Sequence, residues 1–278
     1  MAIIFAFCCL GFSALNDFIF KLFADRPMSR GVFFSLIGTI LAIVMAPFAV
    51  WHFSGTAFFW ACAASLFSIV GNVLLIEAMG SLSAGICSTV YRLNLIFVVP
   101  GAMLFFGERL TPPQLWGVLA AVAAITLFSW STLKSGKKAS LFGMVLIVSA
   151  SLLRAGMGLT YKQALICRMD EFALVCINGL FWVVGGIIYA KLKDGKVKLP
   201  NISTIGFSAA SGLFVVGITF FMAKMLRYGA AGVVLSIAQM SFLGTLLLSV
   251  IFLKEKLEKF KVAGIVCGVT AILLLSLK

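Results

Sequence analysis

The sequence predicts an all-α integral membrane protein whose ten transmembrane helices form two inverted five-helix repeats. Three observations predict it. First, 62% of the 278 residues are hydrophobic and 11% charged, with mean hydropathy +1.15, whereas soluble domains are about half apolar and a quarter charged. Second, apolar runs of about 20 residues, long enough to cross a hydrocarbon core ~30 Å thick, recur almost from end to end. Third, GERLTPPQLWGVLAA at 107–121 returns as KEKLEKFKVAGIVCG at 254–268. That match sets Glu108 on Glu255, Leu110 on Leu257, Gly117 on Gly264 and Ala121 on Gly268, 147 residues apart.

The runs place spans at 2–22, 30–50, 57–78, 83–106, 113–132, 141–165, 171–190, 203–225, 230–253 and 260–277. Residues 1–132 form the first repeat, 141–278 the second and 133–140 the linking loop. Over the first two spans the register is 141, setting Lys21 on Lys162 and Gly38 on Gly179; the longer connector at 191–200 moves it to 147. Five is an odd number, so the second copy enters the membrane from the opposite side, as in many secondary transporters. The start, MAIIFAFCCLGF, lacks a basic leader and a small-residue cleavage site, and it reads as a mature first span. Gly117/Ala121 and Gly264/Gly268 are small-x-x-x-small pairs, suited to close helix packing within a monomer or across a homodimer.

Net charge is +13, yet the cations cluster in connectors such as LKSGKKAS (133–140) and KLKDGKVK (191–198). They read as juxtamembrane charges that meet lipid headgroups, and no nucleic-acid partner is expected. The seven cysteines show no CxxC and no partner histidines, so neither a metal nor a disulfide framework is expected. His52, the single histidine, lies in a short connector. With no phosphate-cradling GxxxxGK[ST] and no nucleophile beside a base, the chain reads as neither an ATPase nor an enzyme, and no cofactor is expected.

Ionisable groups cost several kcal/mol, about 2.5–3.5 at a helix centre, to place in a bilayer. Those near mid-span are therefore the candidate site. On span 4, Ser88, Tyr91, Arg92 and Asn94 share an arc of roughly 160°; on span 6, Ser151, Arg154, Gly158, Tyr161 and Lys162 share roughly 100°. Two readings stand for Arg92 and Arg154. Their guanidinium forks hold a carboxylate, phosphate or sulfonate of a solute, or they make structural pairs with Asp17 or Glu77 and cap carbonyls freed at a kink. Asp17 and Lys21, one turn apart on span 1, either neutralise each other or supply a coupling carboxylate. Lys21 and Lys162 lie late enough in their helices to snorkel.

Spans 3 and 8 carry Ser65, Ser68 and Asn72 against Ser208, Ser211 and Thr219, groups that bind solute or join helices. Asn72 and Thr219 coincide in the repeat, as do Arg92 and Gln239, while Ser236 lies near Gln239 on span 9. Substrate binding is expected at Arg92, Arg154, Tyr91, Asn94, Asn72, Thr219, Gln239 and Tyr161, and coupling or gating at Asp17, Lys21 and Lys162. Trp51, Trp60, Trp116 and Trp130 read as interfacial anchors, and Trp182 as packing.

The motif gE-r-L-t-x-x-Q-x-x-G that closes the first half, its echo in the second, the Lys late in span 1 and the five-plus-five spans together resemble the EamA branch of the drug/metabolite transporter superfamily. The resemblance implies a carrier with a central cavity lined by spans 1, 3, 4, 6, 8 and 9. Many members carry a proline about 13 residues before the motif Glu, where this chain has Leu95 and Phe242. Pro100 lies about a turn later, so a displaced kink is expected in span 4 and no counterpart in span 9.

Orientation has two answers. Lys and Arg concentrate after odd-numbered spans, against Arg109, Arg168, Arg227 and Lys278 on the other side, which puts both termini outside; the resemblance puts them in the cytoplasm. The expected function is alternating-access transport of a small polar metabolite. Deep cations outnumber deep acids, which favours an organic anion or zwitterion; export of lipophilic cations by proton exchange and a non-transporting scaffold or flippase subunit are the alternatives. The expected location is the inner (plasma) membrane of a bacterium.

Overall fold

A computed structural model of the chain describes residues 1–23, 29–82, 84–128, 140–195, 199–254 and 259–277, without the side chains at 19–23, 84–86, 88, 128, 249, 253 and 261. The side chains of Lys21 and Ser88, together with Trp130, Glu255, Leu257, Lys278 and most of the linking loop, thus lie outside the described residues. Every regular element is helical: α1 (Ala2–Phe23), α2 (Arg30–Met45), α3 (Gly55–Ala78), α4 (Ala84–Arg92), α5 (Leu95–Phe106), α6 (Pro112–Phe128), α7 (Leu141–Ile166), α8 (Glu171–Asp194), α9 (Ile202–Tyr228), α10 (Ala231–Gln239), α11 (Ser241–Leu253) and α12 (Lys259–Ser276). Among the described residues seven segments are long and apolar enough to cross a membrane. Ala2–Phe18, Pro112–Leu127 and Val262–Ser276 are apolar but shorter.

Local chemistry sets the helix starts. Ser29, Ser54, Ser140, Asp170 and Asn201 each accept, through the side chain, the backbone N–H three residues on, at the first turns of α2, α3, α7, α8 and α9. This satisfies one of the donors that a helix N-terminus leaves free. At the other end, Gly107 (φ 63°) closes α5 in the left-handed region that favours glycine.

Spans 4 and 9 are both discontinuous, contrary to the expected single kink near Pro100. The first breaks at Leu93–Asn94 and the second at Met240, positions 147 residues apart. Pro100 instead lies inside α5. Leu95 and Phe242, where the EamA resemblance expects proline, are the first residue of α5 and the second of α11. Proline is best tolerated in a first helical turn, where its missing N–H would be unpaired anyway. Tight i+3 bonds, Ile96 N to Leu93 O at 3.0 Å and Leu243 N to Met240 O at 3.0 Å, turn the chain at each break without it.

The principal packed pairs are α2 with α8, α3 with α7, α1 with α9 and α6 with α12. Exchanging the two halves leaves this set unchanged. Gly38 and Gly179, superposed by the repeat, meet where α2 crosses α8; a Cβ on Gly38 would lie 2.5 Å from the Gly179 carbonyl oxygen, so only glycine permits this approach. The small faces of the last spans pack within the chain, Gly117 against Leu275 and Gly268 against Leu243. One apolar core runs through both halves, and large residues such as Leu104, Phe105 and Leu213 point outward, as lipid contact requires.

Candidate functional site

Arg154 stands at the middle of α7, half-buried. Among the described residues no carboxylate reaches it, the ion pairs there being Asp17–Arg92, Glu108–Lys162, Glu77–Lys193 and Glu171 with Lys224 and Arg227. Its guanidinium lies 5.7 Å from the centroid of the Tyr91 ring and makes a long 3.5 Å contact to Met157 Sδ. Two hydroxyls of the same helix, Ser151 Oγ and Tyr161 OH, are fully buried and without hydrogen-bond partners, as is the side-chain oxygen of Asn94 at the break of span 4. A buried polar atom left unpaired costs about 1–3 kcal/mol, so the helix that carries the uncompensated Arg154 also holds unspent polar capacity.

Arg92 closes α4 and is differently placed. It donates to the Asp17 carboxylate from α1, to Ser241 Oγ at 2.7 Å and to the Gln239 carbonyl at 3.1 Å. Span 9 breaks at this point, so the guanidinium satisfies a carbonyl that the interrupted helix leaves free. Three of its five N–H groups are thereby used. Asp17 meets Arg92, and of Gln239 the main-chain oxygen is engaged.

Lys162, about one turn before the end of α7, turns inward. Its ammonium pairs with Glu108, donates to the Gly229 carbonyl at 3.0 Å and lies 5.3 Å from the Phe106 ring centroid. Glu108 also accepts the backbone N–H groups of Ala231 (2.7 Å) and Gly232 (3.1 Å), which open α10. The side chains of Lys162 and Glu108 are only 13% and 9% exposed. A carboxylate from the end of span 4 thus caps a helix of the other half, and the motif glutamate is a latch between halves. The polar arcs read from spans 4 and 6 do not include it. Its recurrence as Glu255, together with Lys162 repeating Lys21, was the available signal.

The polar face of spans 3 and 8 mostly bonds to itself. Asn72 donates to the Ser68 carbonyl (2.8 Å) and Thr219 to that of Val215 (2.8 Å), each one turn back in its own helix. Between helices, Trp182 Nε1 donates to Ser68 Oγ at 2.9 Å and Ser211 Oγ to Asn16 at 2.7 Å. Glu77 accepts from Tyr189 (2.5 Å) and Lys193 (2.8 Å). A recess of about 290 Å³ beside Lys162, Arg227 and Tyr228 and another of about 210 Å³ beside Val32 and Pro200 both stop short of Arg154.

Compared with known families, residues 141–277 match the one described as the EamA-like transporter family. The second half of this chain thus carries an EamA-like domain. The protein is thereby an integral membrane protein carrying a domain of the drug/metabolite transporter superfamily. No curated protein matches the sequence. A solved structure titled "Crystal structure of protein" shares the fold, with a TM-score of 0.79 and 14% identity over 99% of this chain and 96% of that one. The EamA-like half supplies Ser151, Arg154, Tyr161 and Lys162. The preceding half brings Asp17, Tyr91, Arg92 and Glu108 against it.

Proposed function

We propose that the protein is a secondary-active carrier that moves a small organic anion or zwitterion by alternating access of two inverted halves, with Arg154 anchoring the acidic group of the solute. One observation carries the reading: Arg154 is a cation at the middle of a membrane-length helix with no carboxylate partner among the described residues, on the same helix as the unpartnered hydroxyls of Tyr161 and Ser151. An uncompensated charge in a bilayer is costly unless a ligand or water completes it, and a planar guanidinium suits a bidentate carboxylate or phosphate. Tyr91 flanks the anchor, and Tyr161 supplies a hydroxyl donor. Alternating access exposes Arg154 to each side in turn as the halves part. The symmetric helix pairing and the matching breaks at 93–94 and 240 support such a movement.

Export of lipophilic cations calls for a carboxylate free to exchange a proton, and Asp17, Glu77, Glu108 and Glu171 are each already paired with a Lys or Arg. The same reading places the chain in a bacterial plasma membrane.

The test is a thermal-shift screen of purified protein against small carboxylates, phosphates and sulfonates, since a ligand of the folded state alone raises apparent stability. Arg154→Gln is expected to weaken any acid so found by about 100-fold, the order expected when a buried charge loses its partner. Equal affinity in the variant would remove Arg154 from the site.

A further inference from the structure

The surroundings of Arg92 have the composition of a cation site. Three oxygens converge on its guanidinium from two spans: the Asp17 carboxylate of α1, Ser241 Oγ at the start of α11 and the Gln239 carbonyl that closes α10. Ser241 in turn donates to Asp17 at 3.4 Å, joining two of the three into one cluster. Carboxylate, hydroxyl and carbonyl oxygens are the ligands that hard cations take, and carbonyls of an unwound transmembrane helix are where carriers with broken helices coordinate sodium or protons.

The cage is held by packing that does not involve the arginine. One turn beyond Ser241, Thr245 Oγ1 donates to the Ala14 carbonyl at 3.3 Å, and a Cβ on Gly244 would come within 2.7 Å of Ala14 Cβ. This contact fixes α11 against α1 and so holds Ser241 near Asp17. Arg92 enters from a third element, α4, at the position that Gln239 occupies in the other repeat.

We propose that Asp17, Ser241 and the Gln239 carbonyl form a site for a small monovalent cation such as sodium, and that the chain fills it with its own Arg92 guanidinium. A tethered cation outcompetes a free one, because its effective concentration at the site is high and no translational freedom is lost on binding. Combined with the carrier reading above, a cage filled from within means a cycle that needs no metal co-ion. The cage itself rests only on geometry, so a readout of cation binding separates it from that reading.

The experiment compares thermal unfolding of the purified full chain in sodium chloride and in choline chloride of equal ionic strength, at about pH 8, where an ordinary carboxylate is ionised. Wild type and Arg92→Lys, which both keep a tethered cation, are expected to give the same midpoint in the two salts. Arg92→Ala is expected to be destabilised in choline and to regain about 5 °C or more in saturating sodium. Adding Asp17→Asn to that variant should abolish the sodium response. Binding of radioactive sodium should follow the same pattern across the four proteins.

A sodium response in the wild type, or none in Arg92→Ala, would overturn the proposal. So would failure of Arg92→Ala to fold in either salt, since a free cation then does not replace the guanidinium. Arg92→Ala that folds only in sodium would be the strongest support. Absence of any anion ligand in the preceding screen would bear on the carrier reading and leave these arms intact.

Discussion

Arg92 and Arg154 lie deep in the same bundle and are chemically identical, yet their surroundings are opposite. Around Arg92, α1, α10 and α11 bring a carboxylate, a hydroxyl and a freed carbonyl, and the charge is both neutralised and hydrogen-bonded. Around Arg154, the described neighbours are an aromatic face, a thioether and hydroxyls that have no partner. The difference teaches that depth alone does not mark a ligand site. What marks it is charge and hydrogen-bonding capacity that the fold leaves unmet: Arg92 has both met within the described residues, and the proposed ligand role falls to Arg154.

That division can be broken by substitution, and the largest effect is expected at the latch that resembles the Arg92 site most closely. Glu108→Ala strips Lys162 of its counterion and α10 of its cap. Both side chains are more buried than Asp17, so a loss of about 4 kcal/mol is expected, read from denaturant or thermal unfolding in detergent. A midpoint within error of wild type would show that paired charges in this bundle are not structural.

Next comes the binding side. Arg154→Gln should weaken an acidic ligand about 100-fold, about 2.7 kcal/mol, while leaving the unfolding midpoint level or higher, because it removes a charge that the fold does not satisfy. A variant that instead unfolds early would place Arg154 with Arg92 among the structural groups.

Asp17→Asn should cost less than the latch, about 2 kcal/mol, since its carboxylate is 34% exposed and water can screen the orphaned guanidinium. Little or no loss would mean that Arg92 is held by Ser241 and the Gln239 carbonyl alone. The smallest effect is expected from Ser241→Ala, about 1 kcal/mol for one hydrogen bond to a charged group whose other partners remain. A cost equal to that of Asp17→Asn would show that hydroxyl and carboxylate act as one unit.

Much of this arrangement was legible beforehand. Runs of apolar residues located the long helices to within a few residues. The register that superposes Gly38 on Gly179 named two residues that do meet. The breaks were hidden, because Leu93–Asn94 and Gln239–Met240 contain neither glycine nor proline and their local sequence is compatible with continuous helix. Pro100 drew the expected kink to the wrong turn. Glu108 lies at a span end, where a carboxylate ordinarily meets water, but the start of α10 and Lys162 cover it.

Composition, hydropathy and the repeat by themselves determined that the chain is a membrane-embedded helical protein, since apolar length and an excess of uncharged residues admit few other solutions. The same residues put cations and acids at depth without saying which would meet. Tertiary structure alone decided that Asp17 goes to Arg92, that Glu108 goes to Lys162 and the α10 N-terminus, and that no described carboxylate reaches Arg154. Pairing energies depend on distances across helices, and those distances are set by close glycine crossings and two unwound turns that periodicity along a single helix does not encode.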